Sequence, residues 1–436
     1  MFRNLIYFLL TGIIISGCAA SKGLKSRDFK EIIDESPVFS EYFTGFMLYD
    51  PETDEVLYAK NEDKYFTPAS NTKLFTFYAG LNILGDSIPG LHYVIRNDSL
   101  IFWGSGDPTF LNPDMSTDRV YNFLKSRPER LYFSPSNFYS DHFGPGWSWN
   151  WYNYYFATEK SPFPIYGDFV RFTKQKGDSV LLINPQYFAD YYEQIAERNP
   201  FGQEVERDMD KNEFTYAKVE DTLEFEIDVP YRYSPDLFTK LLADTLGRFV
   251  EVVDIPLPEE YKTINSIPSD SVYKRLLQVS DNFFAEQIML MNAGKLSDSL
   301  DTDIAIEYAV DNLIDDLPDE PVWYDGSGLS KYNLFTPRSV VRLLLKIRSQ
   351  VEMERLMAML PAGGMTGTIK YWYTADEPYI YAKTGTLSNV LALSGFLITK
   401  SGKTLVFSWL HNNHNFSSSR IKREMEKVLV RIRDAY

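Results

Sequence analysis

One cysteine, four histidines and a shortage of positive charge set the first limits on this 436-residue chain. The lone Cys18 excludes an internal disulfide framework, because a bridge needs a second thiol. His92, His142, His411 and His414 are the only imidazoles. A serine–histidine–carboxylate site would need one of them together with a G-x-S-x-G elbow, and no such elbow is present. His411 and His414 fall in "HNNHN" with no Cys or carboxylate cluster beside them, so they read as a strand-end loop and not as metal ligands. The 44 Lys and Arg against 60 Asp and Glu leave a net charge of −16, which argues against a nucleic-acid partner. The apolar run over residues 5–15 is too short to span a bilayer. What remains, 44% hydrophobic and 24% charged residues, is ordinary for two or three folded domains with buried cores. No cofactor is expected.

The N-terminus itself is informative. Arg3 precedes the apolar run, which ends in Ile15-Ser16-Gly17-Cys18. This resembles a bacterial lipoprotein signal over residues 1–17, with cleavage before Cys18 and lipidation of that residue. Several acyl chains would anchor the protein stably on a membrane that it does not span, outside the cytoplasm. Residues 18–27 then read as a tether. Helix-like and strand-like segments at residues 28–86 and 259–436 bracket a middle, residues 87–258, of short β-like runs and turn-rich loops such as "GSGDP" and "HFGPGW". The pattern predicts an α+β protein in which one discontinuous domain carries a β-rich insertion.

Three short motifs carry chemistry. In "PASNTKL", Ser70 and Lys73 lie close to one helical turn apart and share a face. In "SDNFFAEQ", Ser280 and Asn282 open a helix, and in "AKTGTLSNVLALSGF", Lys383, Thr384 and Gly385 sit on a strand. Each motif is weak alone: Ser271-Lys274, Ser419-Lys422 and Ser148-Trp149-Asn150 match as well. The ordered set is much stronger, and it resembles the set of class A β-lactamases and penicillin-binding proteins. Ser70 is a weak nucleophile until Lys73, in its neutral form, takes its proton. Burial and the second cation Lys383 are expected to lower the Lys73 pKa. Ser280 is expected to bond Lys73 and relay a proton, and Asn282 to hold a substrate peptide group. Lys383, Thr384 and Thr386 suit a terminal carboxylate, and Gly385 lets a substrate lie close to the strand. The N–H groups of Ser70 and Thr386 suit an oxyanion.

The flanks "GSGDPTF", "DGSGLSKYNLFTP" and "LPAGGMTGTIK" join these motifs in a resemblance to the D-alanyl-D-alanine carboxypeptidase/endopeptidase family, the class C low-molecular-mass penicillin-binding proteins. The offset of 207 positions from Lys73 to Ser280 agrees with the β-rich insertion of that family. The resemblance implies a transpeptidase-like domain with an antiparallel sheet and helices. It implies peptidoglycan stem peptides and β-lactam antibiotics as partners, and cleavage through an acyl-enzyme on Ser70. It also implies stem-peptide recognition by Lys331, where relatives commonly carry Arg, and by Phe156 with Trp151, where relatives often place Asp. A β-lactamase or esterase on the same fold is the nearest alternative, separated by deacylation rates. A quiet wall-fragment-binding lipoprotein is another, but it would not need the nucleophile.

Overall fold

A computed structural model describes residues 23–115, 117–177, 180–196, 202–217 and 223–436. The leader at 1–17 and Cys18 lie outside the described residues. The two ends of the chain meet in one five-stranded antiparallel sheet, ordered Ile380–Leu387, Val390–Ile398, Thr404–Asn412, Phe43–Asp50, Glu55–Lys60. The strands Val390–Ile398 and Thr404–Asn412 read as near-continuous apolar runs because both faces of the sheet are covered. Alternate residues serve different cores. Phe396 and Val406 pack with the helices Thr72–Ile83, Asn282–Ser297 and Pro337–Gln350, whereas Leu405, Phe407 and Trp409 pack against the closing helix Ser418–Ala435. That helix buries Ile421, Met425, Val428, Leu429 and Ile432 on one face, the spacing of an amphipathic cover. The expected tether is partly structured: Ser26–Phe29 is helical, Phe29 is buried, and the Tyr436 hydroxyl donates to the Leu24 carbonyl.

The middle of the chain has its own core, built around Phe102, Phe133, Phe163 and Phe238. Its main sheet is mixed, in the order Val250–Val252, Arg130–Phe133, Ser99–Gly104, Ser87–Arg96, Lys262–Pro268. Among the described residues two three-stranded sheets accompany it. Two differences from the sequence reading follow. The last strand, Lys262–Pro268, pairs with Ser87–Arg96 and so carries this sheet past residue 258. The middle also contains helices, Arg119–Ser126 and Pro235–Leu246. The second starts with a Ser234 hydroxyl accepting from the Leu237 N–H and stops at Gly247 in the left-handed region. Among the described residues no helix is long and apolar enough to cross a membrane.

Candidate active site

Ser70 lies in a 3-10 turn, Ala69–Asn71, that runs directly into the helix Thr72–Ile83. This helix is buried on all sides from Thr72 to Gly80, so Lys73 enters the interior with its whole side chain. Its Nζ stands 3.0 Å from Ser70 Oγ. It also donates to Asn282 Oδ1 at 2.6 Å and to the Ser327 carbonyl at 2.6 Å. Burial pushes the Lys73 ammonium down to about 8, against the pull of Asp325, Glu286 and Asp281.

The second motif arrives on the helix Asn282–Ser297. Asp281 caps it by accepting from the Phe284 N–H, and Ser280 takes φ +65° just before it. This turn sends Ser280 and Asn282 to different lysines. Ser280 Oγ accepts from Lys383 Nζ at 2.7 Å, and Lys73 is instead bonded to Asn282. The other end of the Asn282 amide donates to the Phe156 carbonyl at 2.8 Å. The expectation that Ser280 would bond Lys73 is therefore corrected: Asn282 makes that bond, and Ser280 bonds Lys383. Ser280 has positive φ and its hydroxyl meets Lys383 on the strand, while the Asn282 amide spans the gap to Lys73.

The third motif lies on the edge strand Ile380–Leu387. Lys383 is fully buried, and burial first and the Lys73 charge second push its pKa well below the ordinary lysine value. Burial, not Lys383, is the cause that lowers Lys73. Lys383 also donates to the Thr384 carbonyl, and Thr384 Oγ1 bonds Thr368 Oγ1 at 2.7 Å. At Gly385 a Cβ would fall 2.6 Å from the Pro68 carbonyl and 3.1 Å from the Ser70 nitrogen, so only glycine lets the strand lie against the nucleophile turn.

A cleft of about 400 Å³ opens at Ser70, walled by Ser280, Asn282, Thr386, Trp151 and Phe156. The rings of Trp151 and Phe156 meet edge to face at 5.7 Å. Lys331 is exposed and stands outside this lining, so the structure does not gather it with Trp151 and Phe156.

Several site residues escaped the sequence reading. Tyr155, 62% exposed, joins the cleft wall. Asp325 is buried and accepts from the Gly328 and Ser330 N–H groups, Asn333 Nδ2 and Trp147 Nε1. Gly328 takes φ +83°, and a Cβ there would lie 2.0 Å from the Ala69 carbonyl. The signal for Asp325 and Gly328 was their position in "DGSGLSKYN", an acid among turn residues able to fix a loop.

The model of the D-Ala-D-Ala carboxypeptidase 3 (S13) family matches residues 26–434. The D-alanyl-D-alanine carboxypeptidase of Actinomadura sp. strain R39 is 25% identical over 458 residues, covering 91% of this chain and 83% of that protein. The D-alanyl-D-alanine carboxypeptidase DacB of Haemophilus influenzae is 22% identical over 444 residues, covering 90% of each. The crystal structure of penicillin binding protein 4 (dacB) from Haemophilus influenzae superposes with a TM-score of 0.70 at 20% identity, over 93% of this chain and 97% of that one. The same protein complexed with a β-lactam gives a TM-score of 0.66 at 18% identity, over 93% and 97% of the two chains.

Proposed function

This chain belongs to the D-Ala-D-Ala carboxypeptidase 3 (S13) family, and from that premise we propose that Ser70 cleaves D-Ala-D-Ala ends or cross-links of peptidoglycan stem peptides through an acyl-enzyme. One observation carries the reading. Of the three partners of Lys73 Nζ, the Ser327 carbonyl and Asn282 Oδ1 are oxygens that can only accept. A neutral amine has two hydrogens, and these two acceptors take them. The lone pair is then left facing Ser70 Oγ at 3.0 Å.

Lys73 removes the Ser70 proton as Oγ attacks the penultimate D-Ala carbonyl carbon. The N–H groups of Ser70 and Thr386 take the charge on the carbonyl oxygen. The C–N bond breaks as Ser280, held by Lys383, gives its hydroxyl proton to the departing amine and is reprotonated by the one that Lys73 took from Ser70, which leaves Lys73 neutral again. Water then attacks the ester carbonyl, giving its proton to Lys73, and Ser70 leaves as the hydroxyl. Lys383, Thr384 and Thr386 receive the terminal carboxylate, and Trp151 and Phe156 flank the stem peptide. A β-lactam mimics the same amide and acylates the same serine.

Residues 28–86 and 259–436 form the catalytic domain in this reading, with 87–258 inserted. The shared five-stranded sheet supports it, and the pairing of Lys262–Pro268 favours moving the second boundary to about residue 268. Work on peptidoglycan puts the protein outside the cytoplasm. A lipid anchor on Cys18 after removal of residues 1–17 is supported by the sequence pattern alone.

Labelled penicillin should attach at Ser70, and pentapeptide stems should lose D-Ala. Ser70→Ala should abolish both while keeping the native thermal melt. Label that persists in the variant, or maps to Ser271 or Ser419, overturns the assignment.

A further inference from the structure

Resting on the reading of Lys73 as the base, we propose that Glu286 is a positioning residue, which fixes the carbonyl that orients Lys73 and supplies a negative charge that tunes it. Glu286 follows Asn282 by four residues, one helical turn, so one helix approaches Lys73 twice. Asn282 touches Nζ directly, whereas Glu286 acts through the backbone of Gly326 and Ser327. Its Oε1 accepts from the Ser327 N–H at 2.8 Å and its Oε2 from the Gly326 N–H at 3.2 Å.

The opposite sides of the same two residues are held by the nucleophile helix. The Gly326 carbonyl accepts from Thr76 Oγ1 at 2.6 Å, and the Ser327 carbonyl accepts from Lys73 Nζ at 2.6 Å. A short stretch of backbone is thus clamped between two helices, with its N–H groups on Glu286 and its carbonyls on Thr76 and Lys73. Gly326 makes the approach possible, since a Cβ there would lie 2.5 Å from the Ala285 carbonyl.

Holding two N–H groups requires two acceptor oxygens, which a carboxylate has. Glu286 is nevertheless fully buried, and no cation lies within ion-pair distance of it among the described residues. Burial, with repulsion from Asp325, pushes its carboxyl up to about 7, and Lys160 pulls the other way. The charges facing Lys73 are Asp281 and Glu286 from the helix, Asp325 from the loop and Lys383 from the strand. An ionised Glu286 favours the ammonium form of Lys73. It therefore holds the Lys73 pKa higher than burial alone would leave it.

Replacing Glu286 by Gln separates the two roles. The isostere keeps one acceptor oxygen, loses the other, and removes the charge. Acylation of the full chain by a fluorescent penicillin, followed from pH 5.5 to 10, should show an alkaline limb displaced to lower pH by about one unit, with a lower plateau. Glu286→Asp keeps the charge, so its limb should stay within about 0.3 unit of the native one while its plateau falls. A Gln variant that labels Ser70 and melts normally with an unmoved or upward-moved limb overturns the proposal, leaving Glu286 only a loop anchor. If Gln prevents folding, the Asp variant decides, and a limb displaced by about one unit overturns the proposal. Failure of the native protein to label Ser70 would instead bring down the reading of Ser70 and Lys73, recognisably apart from a failure at Glu286.

Discussion

Lys73 can accept a proton from only one of its three partners, and in the proposed mechanism that restriction is what would make a buried lysine the base. Its pKa of about 8 makes neutral Lys73 the minor form at pH 7. Acylation should therefore rise with pH below that value and level off above it. The sign follows from the neutral form being the active one. A profile flat from pH 6 to 9 would remove Lys73 from this role. Lys383 is a different matter, because burial alone explains the lowered Lys73 value. Lys383→Gln should leave the limb in place within about half a unit. It should raise KM for stem peptides with a free terminal carboxylate by about ten- to a hundredfold, the loss of a charged hydrogen bond. Ser70, Lys73 and Lys383 were legible in the sequence because motif spacing fixes which residues converge. The exchange of partners between Ser280 and Asn282 was not, since it depends on positive φ at Ser280 and the Asp281 cap. Glu286 left one sign, an acid inside the apolar run "NFFAEQIML", whose buried partners are backbone groups that no motif records.

The elements that carry the site were the readable ones. The helices Asn282–Ser297 and Pro337–Gln350 and the strands Val390–Ile398 and Thr404–Asn412 have long, strongly patterned sequences. The helix Arg119–Ser126 is short, and Pro235–Leu246 follows a run of strands, so local texture misled there although Ser234, Pro235 and Gly247 marked the ends of the second. The loop over residues 325–333 has no periodicity at all, and its shape comes from Asp325 and from close contact with the nucleophile turn. That contact gives a sharp expectation. Gly328→Ala combines positive φ with a backbone clash, so it should destabilise the protein by about 2 kcal/mol or more and slow penicillin labelling. Thermal unfolding checks it, and a melting temperature within one or two degrees of native would mean that the loop stands off from Ala69.

At the scale of the whole molecule, the middle segment does more than wall the cleft. Trp147 belongs to that segment, yet its indole N–H donates to Asp325 Oδ2 at 2.8 Å and so helps hold the loop whose Ser327 carbonyl orients Lys73. Trp147 is absent from the cleft lining; it faces a separate cavity of about 350 Å³ with Tyr152, Glu159 and Arg207. Loss of the bond should therefore act on catalysis without touching a small acylating agent. Trp147→Phe keeps an aromatic ring and removes the donor, and Asp325 Oδ2 retains the Ser330 N–H. A hydrogen bond to a charged group contributes about 1.5–3 kcal/mol, and the part that reaches Lys73 should slow acylation by about three- to tenfold. Because the Asp325 charge remains, the pH limb should not move, in contrast to Glu286→Gln. The measurement is the same penicillin acylation profile, with a benzylpenicillin-sized probe that does not extend beyond the cleft. Native rates in Trp147→Phe would confine the middle segment to substrate reach, whereas slowed acylation at an unchanged pH limb makes it part of the scaffold that aims the base.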